Sequence, residues 1–238
     1  MKLLSTDRVG YDARVVQRSK LLRIIYDGIE DKSLVRTSIQ LSRIDQGEEY
    51  CTLVAVGRIR ITANVVVGAD GARSWIRQYI EQSVGIPIQK GVSTLKFDKY
   101  ADGIEMKTNF TCIFGMSPGM SELEGGEAFA VYHKGATVLV FTGKTVIFWF
   151  VFEDIGHPFP LSYSPSYEIV DIEEVCRAVG HLRLTPTVKF GDIYANRSSV
   201  QKTTLEEGIA EYWHANRMVV IGDAAHKVRY QLTVTINN

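Results

Sequence analysis

Two short segments of this 238-residue chain each place an acidic residue directly after an apolar run, and both acids suit the binding of a ligand. The first segment spans residues 65–71 and ends Gly-Ala-Asp-Gly; the second spans residues 218–223 and ends Gly-Asp. In open α/β sheets, ligands bind at the carboxyl ends of the parallel strands. A carboxylate there can accept hydrogen bonds from the hydroxyl groups of a sugar. We therefore expect Asp70 and Asp223 to follow neighbouring parallel strands at one edge of a sheet.

The first motif has two interpretations. As part of a ligand site, Gly71 permits a tight turn and close approach of the backbone, and Arg73 and Arg77 balance the charge of a phosphate. As a purely structural feature, the segment is a strand-to-helix turn in which Asp70 caps the helix. The sequence leaves both open.

The second motif is more specific, because two alanines follow the acid and allow close packing. We expect Asp223 to accept a hydrogen bond from a ribose or ribityl hydroxyl, with Gly222 and Ala225 beside it. The alternative is a helix cap after a strand. His226 offers a base, although a packed or exposed histidine is the more ordinary interpretation.

The elements that would position these motifs differ along the chain. Periodicity predicts helices over residues 14–30, 72–81 and 167–179. Runs of β-branched and aromatic residues separated by glycines predict strands. The predicted strands are 34–41, 50–56, 58–61, 65–67, 94–96, 110–114, 128–133, 137–142, 145–152, 188–194 and 218–221.

These elements predict an α/β (α+β) fold. An incomplete Rossmann-like layer would comprise residues 1–92 and 196–238, and a mainly antiparallel β-sheet domain for the substrate, residues 93–195, would be inserted between its halves. The layer is incomplete because the chain has no Gly-x-Gly, the glycine-rich turn that holds a dinucleotide pyrophosphate.

Composition excludes several classes of function. Lys+Arg and Asp+Glu both number 27, so there is no basic surplus for nucleic acid. The three cysteines are far apart in sequence, which argues against a disulfide framework or a metal site. We see no secretory signal and no apolar run near the roughly 18 residues of a membrane span, so we expect a cytoplasmic protein with no transmembrane segment. The oligomeric state is left open.

One motif points to a different chemistry. Residues 115–119 match the hydrolase pattern Gly-x-Ser-x-Gly, in which the residue after the serine donates its backbone N–H to an oxyanion. That residue is Pro118, which has no N–H. We therefore expect a structural role for Ser117.

Taken in order, these motifs resemble the flavoprotein aromatic hydroxylases, the single-component class A monooxygenases. The resemblance spans about residues 14–227, and finer features resemble the fungal branch that epoxidises or hydroxylates terpenoid and meroterpenoid metabolites. The family motifs are Arg18 with Leu21, residues 68–77 and residues 217–226; the branch features are residues 24–26 with 31–33, residues 112–117, Trp149 with Phe150, and Trp213.

The resemblance implies FAD as cofactor, NADPH as electron donor and a hydrophobic small-molecule substrate that receives one oxygen atom of O2. It implies that Arg18 contacts the flavin, that Asp70 and Gly71 serve FAD and the pyridine nucleotide, and that the Gly222–Ala225 motif holds the ribityl or pyrophosphate region. The inserted sheet would cover the substrate, with Tyr132 as a candidate substrate-facing acid; a packed strand tyrosine is the alternative.

Two departures from the family pattern affect the expected activity. The family begins with a strand, Gly-x-Gly-x-x-Gly and a helix, and it continues past the second motif with a loop rich in Pro and Gly. Neither pattern occurs here, so we expect a chain truncated at both ends with impaired FAD binding. The alternative function is a non-catalytic remnant or partner-binding fragment. A reductase that uses only a pyridine nucleotide is disfavoured, because it too needs the glycine-rich turn.

Overall fold

The structure is a computed structural model that describes residues 15–84, 93–96, 107–160 and 167–227. Within these ranges the chain forms two compact units. The first unit contains residues up to 29 and residues 108–205, and the second contains residues 30–107 and 206–227. The division of the chain into a nucleotide-binding and a substrate-binding domain stays a prediction.

The elements are numbered in chain order. The helices are α1 (Arg18–Asp27), α2 (Trp75–Ser83), α3 (Ile169–Val179) and α4 (Phe190–Ala195), with 3₁₀ turns at Lys32–Leu34 and Gly222–Ala224. The strands are β1 (Leu41–Gln46), β2 (Cys51–Ala55), β3 (Arg60–Ala63), β4 (Val66–Gly68), β5 (Ser93–Lys96), β6 (Lys107–Pro118), β7 (Ala128–His133), β8 (Ala136–Thr142), β9 (Val146–Pro160), β10 (Ser199–Ile209), β11 (His214–Ala215), β12 (Met218–Val220) and β13 (His226–Lys227).

Two small sheets form the second unit. An antiparallel sheet has the strand order β3-β2-β1-β5, and a three-stranded sheet has the order β11-β12-β4. In the latter, β12 is parallel to β4 and antiparallel to β11. Helix α2 contributes its buried face, Ile76, Tyr79 and Ile80, to a core shared with Met218 and Val220. The helix predicted over residues 72–81 is thus present.

An antiparallel sheet and three helices, α1, α3 and α4, form the first unit. The sheet order within this unit is β10-β6-β9-β8-β7, with full registers from β7 to β8 and from β8 to β9. Helices α3 and α4 add Ile172, Cys176, Phe190 and Ile193 to its core. The predicted mixed fold with a mainly antiparallel inserted sheet is therefore confirmed.

Three predictions about secondary structure were wrong. Residues 34–41 were expected to be a strand, but Asp31 accepts a hydrogen bond from the Ser33 N–H at 3.0 Å and starts a 3₁₀ turn, and β1 begins only at Leu41. Residues 188–194 were expected to be a strand, but Phe190–Ala195 is a helix. Its start is capped by Asp192, whose carboxylate accepts from the Lys189 N–H at 2.8 Å.

The third wrong prediction concerns residues 94–96, which were assigned to the inserted antiparallel domain of residues 93–195. They belong to β5, which pairs with β1 in the second unit. The long strand β10 was not predicted. In the described ranges no helix has both the length and the apolar character needed to cross a membrane.

Gly115 gives a test of the first unit's packing. A Cβ at this position would lie 2.2 Å from Trp149 Cζ2 and 2.5 Å from the Ser199 carbonyl oxygen, in a region where Trp149 is fully buried. We expect Gly115→Ala to lower the free energy of unfolding by about 1–3 kcal/mol or more, because a packed core resists an added methyl group. Urea denaturation measures the change.

The matched control is Gly28→Ala at the end of α1. Gly28 has φ of −75°, and a Cβ there would meet nothing closer than 3.5 Å. We expect an unchanged or slightly higher stability, since alanine restricts the unfolded chain. Equal effects of the two substitutions would contradict the close contact at Gly115.

Candidate functional site

Both motifs end at one edge of the three-stranded sheet. The parallel register pairs Met218 with Val66 and Val220 with Gly68, and the Ile221 N–H donates to the Gly68 carbonyl at 2.9 Å. The loops that carry Asp70 and Asp223 therefore leave the carboxyl ends of adjacent strands, as predicted. This is the position at which open α/β sheets bind ligands.

Asp70 is engaged in capping α2. Its carboxylate accepts a hydrogen bond from the Trp75 N–H at 2.7 Å and from the Ser74 hydroxyl. Ser74 in turn accepts from the Arg77 N–H at 3.0 Å. These contacts satisfy N–H groups that a helix start leaves without intrahelical partners. The N-cap residue of α2 is Ser74 and not Asp70 as predicted, but the Asp70 carboxylate also accepts N–H groups of the helix start and so shapes the loop that precedes it.

Two glycines give the edge an open backbone. Gly71 has φ of +82° and Gly222 has φ of +57°, which is the left-handed region that favours glycine. A Cβ at either position would meet no atom within 4 Å. The space in front of both turns is therefore open to a ligand, and the glycines are required by conformation.

Asp223 presents its carboxylate to solvent. Its side chain is 62% exposed, and its nearest basic partner in the described chain is Lys227, at 3.9 Å. Lys227 makes a much closer ion pair with Glu206, at 2.7 Å. Asp223 therefore remains able to accept hydrogen bonds from a bound molecule.

Ala225 stabilises the Gly222–Ala224 turn through its backbone hydrogen bonds. It is fully buried, its N–H donates to the Gly222 carbonyl at 2.9 Å, and its carbonyl accepts from the Ala210 N–H at 2.7 Å. Ala224 is buried as well. The predicted close packing of the two alanines is present, and their backbone groups are used within the protein.

Arg77 does not face the open edge. Its side chain is 6% exposed, and it donates to the Ala72 carbonyl at 2.6 Å and the Ala224 carbonyl at 2.9 Å. Burial lowers the pKa of this guanidinium, and the nearby Glu81 and Asp70 carboxylates act in the opposite direction. The expectation that Arg77 balances phosphate charge was wrong, because the group is buried against backbone carbonyls. Arg73 is exposed.

The remaining candidate residues lie elsewhere. Arg18 is an exposed residue at the start of α1, in the first unit, whereas both motifs are in the second. Tyr132 is 40% exposed on β7, the strand at the edge of the first unit's sheet. His226 is exposed, and its ring stacks on Trp213 with centroids 5.4 Å apart. Neither Arg18 nor Tyr132 is shown to share a site with Asp223.

Ser117 has a structural role, as expected. Its hydroxyl donates to the Ile193 carbonyl at 2.8 Å and accepts from the Trp149 indole N–H at 3.0 Å, and the side chain is buried. Both hydrogen bonds tie β6 to the core of the first unit. The Ser117 hydroxyl is therefore not exposed for nucleophilic attack.

The three cysteines are buried, and the described acids form no metal site. Cys51, Cys112 and Cys176 are buried and free. Burial raises the pKa of Cys112 and of Cys176 to about 12, so both thiols stay protonated near neutral pH. Among the described residues no group of His, Cys, Asp and Glu side chains is arranged to hold a metal ion.

Sequence reasoning missed a partly buried ion pair in the first unit. Lys202, with a side chain that is 6% exposed, donates to Glu153 at 2.8 Å, and Glu153 also accepts from the Thr111 hydroxyl at 2.8 Å. The alternation of polar residues along β10 could have indicated a strand, but a lysine in such a run is expected to be exposed. Lys202 is buried because β10, β6 and β9, which are distant in sequence, lie side by side in the sheet.

Comparison with solved structures defines the class of fold. The chain is similar to an HpxO variant from Klebsiella pneumoniae in complex with FAD, with a TM-score of 0.68 and 14% identity over 93% of this chain and 52% of that one. It is also similar to salicylate hydroxylase, with a TM-score of 0.56 and 14% identity over 88% of this chain and 51% of that one. The fold is that of the flavoenzymes resembling aromatic hydroxylases.

Comparison with curated proteins finds fungal proteins of similar sequence. The chain is 30% identical over 223 residues to the FAD-dependent monooxygenase terM of Tolypocladium album, and 29% identical over 223 residues to atmM of Aspergillus flavus. Each match covers 93% of this chain and 45% of the relative. No protein-family model matches the chain. These curated relatives are fungal FAD-dependent monooxygenases, and the chain spans about half the length of the curated relatives it matches.

Ser117→Ala tests the structural role of the serine. We expect the free energy of unfolding to fall by about 1–3 kcal/mol, because the buried Trp149 N–H and Ile193 carbonyl both lose a partner. Chemical denaturation measures the loss. Ser121→Ala, at an exposed serine, is expected to have little effect. Equal stability of the two variants would contradict the network.

Proposed function

We propose that this chain supplies part of the FAD site of a monooxygenase that inserts one oxygen atom of O2 into a terpenoid or meroterpenoid, with NADPH as the electron donor. The observation that carries the proposal is the parallel pairing of β4 with β12, which delivers both motif loops to one sheet edge. The relatives named as FAD-dependent monooxygenases and the FAD-complexed neighbour support the choice of ligand.

The residues at this edge fit a flavin nucleotide in different ways. Asp223 is exposed and suits a hydroxyl of the ribityl chain, which it would bind by accepting hydrogen bonds. Gly71 and Gly222 suit close approach of the ligand to the backbone, since nothing fills the space where a Cβ would lie. Asp70 and Ala225 act behind them, by holding the helix start and the turn.

The flavin supplies the redox chemistry when bound, and the protein supplies orientation and a site without bulk water. In this proposal the antiparallel sheet of the first unit binds the hydrophobic substrate, and Tyr132 is a candidate donor to an oxygen of that substrate. Arg18 is proposed as a further contact of the flavin, on the strength of the family motif alone. The hydroxyl of Tyr132 makes no hydrogen bond within the described part of the chain, so it is available to a ligand.

Asp223→Ala tests the site. We expect the dissociation constant of FAD to rise about 10- to 100-fold, because a hydrogen bond to a charged group contributes roughly 1.5–3 kcal/mol. The measurement uses flavin fluorescence on a chimera in which segments of terM flank these 238 residues, since the printed sequence contains no Gly-x-Gly. The 238-residue chain is measured in parallel and is expected to bind more weakly.

The matched control is Glu49→Ala. Glu49 is an exposed acid in the same unit, in the turn between β1 and β2. We expect it to leave FAD affinity unchanged. Equal affinities for the Asp223 and Glu49 variants would remove Asp223 from the site. A colourless chimera that is folded would favour the alternative function, a non-catalytic fragment.

Tyr132→Phe tests the substrate role in the same chimera. If the hydroxyl donates a proton to the substrate, the variant should turn over about 10²- to 10⁴-fold more slowly, which is the usual contribution of a positioned acid. Its FAD affinity should stay the same. Turnover is measured as NADPH-dependent oxygen consumption with a hydrophobic terpenoid. Unchanged turnover would make Tyr132 a strand residue without a catalytic role.

A further inference from the structure

One buried cation bridges the two motif loops. The Arg77 guanidinium donates from Nη2 to the Ala72 carbonyl at 2.6 Å and from Nη1 to the Ala224 carbonyl at 2.9 Å. Ala72 follows Gly71 in the first loop, and Ala224 follows Asp223 in the second. Arg77 and Ala224 are 147 residues apart in sequence. The two loops therefore meet through a single side chain.

Arg77 is held inside the protein. The residue is 5% exposed, so its guanidinium is not presented to solvent. Its only carboxylate partner within 4 Å in the described chain is Glu81, at 3.7 Å from Nε. A buried charge is costly unless hydrogen bonds satisfy it. Here the backbone carbonyls of the two loops provide much of that satisfaction.

We propose that Arg77 is a positioning residue that couples the two loops, so that displacement of the Asp70 loop loosens the Gly222–Ala225 turn and the reverse. The planar guanidinium suits this role because its fork donates in two directions at once, whereas a lysine ammonium acts as a point charge. The consequence for FAD rests on the proposed function: the Asp223 carboxylate is correctly placed only while the fork is intact.

Hydrogen exchange on the 238-residue protein tests the coupling without any cofactor. The reporters of the turn are the Ala224 and Ala225 N–H groups, which are bonded to Ile221 and Gly222. The reference is the β1–β2 hairpin. We expect Arg77→Lys to speed exchange of the turn about tenfold or more and to leave the hairpin unchanged. Arg58→Lys, at an exposed arginine in the same unit, should change neither.

A second variant shows whether the effect is coupling or local damage. Asp70→Asn weakens the cap of α2 and so perturbs the first loop. In the presence of Arg77 it should also speed exchange of the turn, and in the Arg77→Lys background this added effect should disappear. An effect of equal size in both backgrounds would overturn the proposal, as would an unchanged turn in Arg77→Lys.

Two further outcomes are informative. If Arg77→Lys speeds the hairpin as well, the variant has lost global stability, and the Asp70→Asn result with Arg77 present then decides alone: a faster turn supports coupling and an unchanged turn refutes it. In the terM chimera, Arg77→Lys should weaken FAD binding about tenfold. If Asp223→Ala leaves FAD binding intact while the exchange results hold, the proposed function fails and the coupling stands.

Discussion

The parallel contact between β4 and β12 is the constraint on which the second unit depends. It joins segments from the two parts of the chain that build this unit, and it buries Val66, Met218 and Val220 against α2. Gly68 is the point of closest approach, because a Cβ there would lie 2.5 Å from Ile76 Cβ. The first glycine of the motif therefore serves strand–helix packing, and the second, Gly71, serves the turn.

Asp70 and Asp223, the two acids at the sheet edge, have different roles. The Asp70 carboxylate accepts hydrogen bonds from N–H groups at the start of α2 that would otherwise lack partners. Asp223 sits on a short 3₁₀ turn that needs no such cap, and it remains exposed. Asp70 and Asp223 each follow a strand, but their roles differ. The loop after β4 leads into a helix of nine residues, whereas the loop after β12 does not.

Periodicity in the sequence predicted the elements whose structure depends mainly on residues close together in the chain. The apolar runs before each motif, the strand at residues 128–133 and the buried face of α2 all follow from periodicity, and the structure contains them. Residues 188–194 read as a strand, yet Asp192 accepts from the Lys189 N–H and Phe190 enters the core, which together favour a helical turn. Partner choice was beyond periodicity: nothing in residues 94–96 indicates that they pair with β1.

The candidate site likewise contains residues that the sequence predicted and one contact that it did not. Asp223 and the glycines were predictable, since their types fit a sheet edge wherever the strands end. Arg77 was assigned to phosphate because arginine near a glycine turn is the ordinary partner of that anion. Its true partners are carbonyls of two loops, one of which is 147 residues away, and no pattern within a single motif encodes that contact.

The burial of Arg77 is itself an argument about function. Replacing a whole buried ion pair by apolar side chains is often neutral or stabilising, but removing one partner alone is strongly destabilising, and Arg77 has Glu81 beside it. A methionine of similar reach would fill the space but leave the Ala72 and Ala224 carbonyls without their donor. The guanidinium that satisfies both carbonyls also fixes the distance between the loops, and a site assembled from two loops needs that distance fixed.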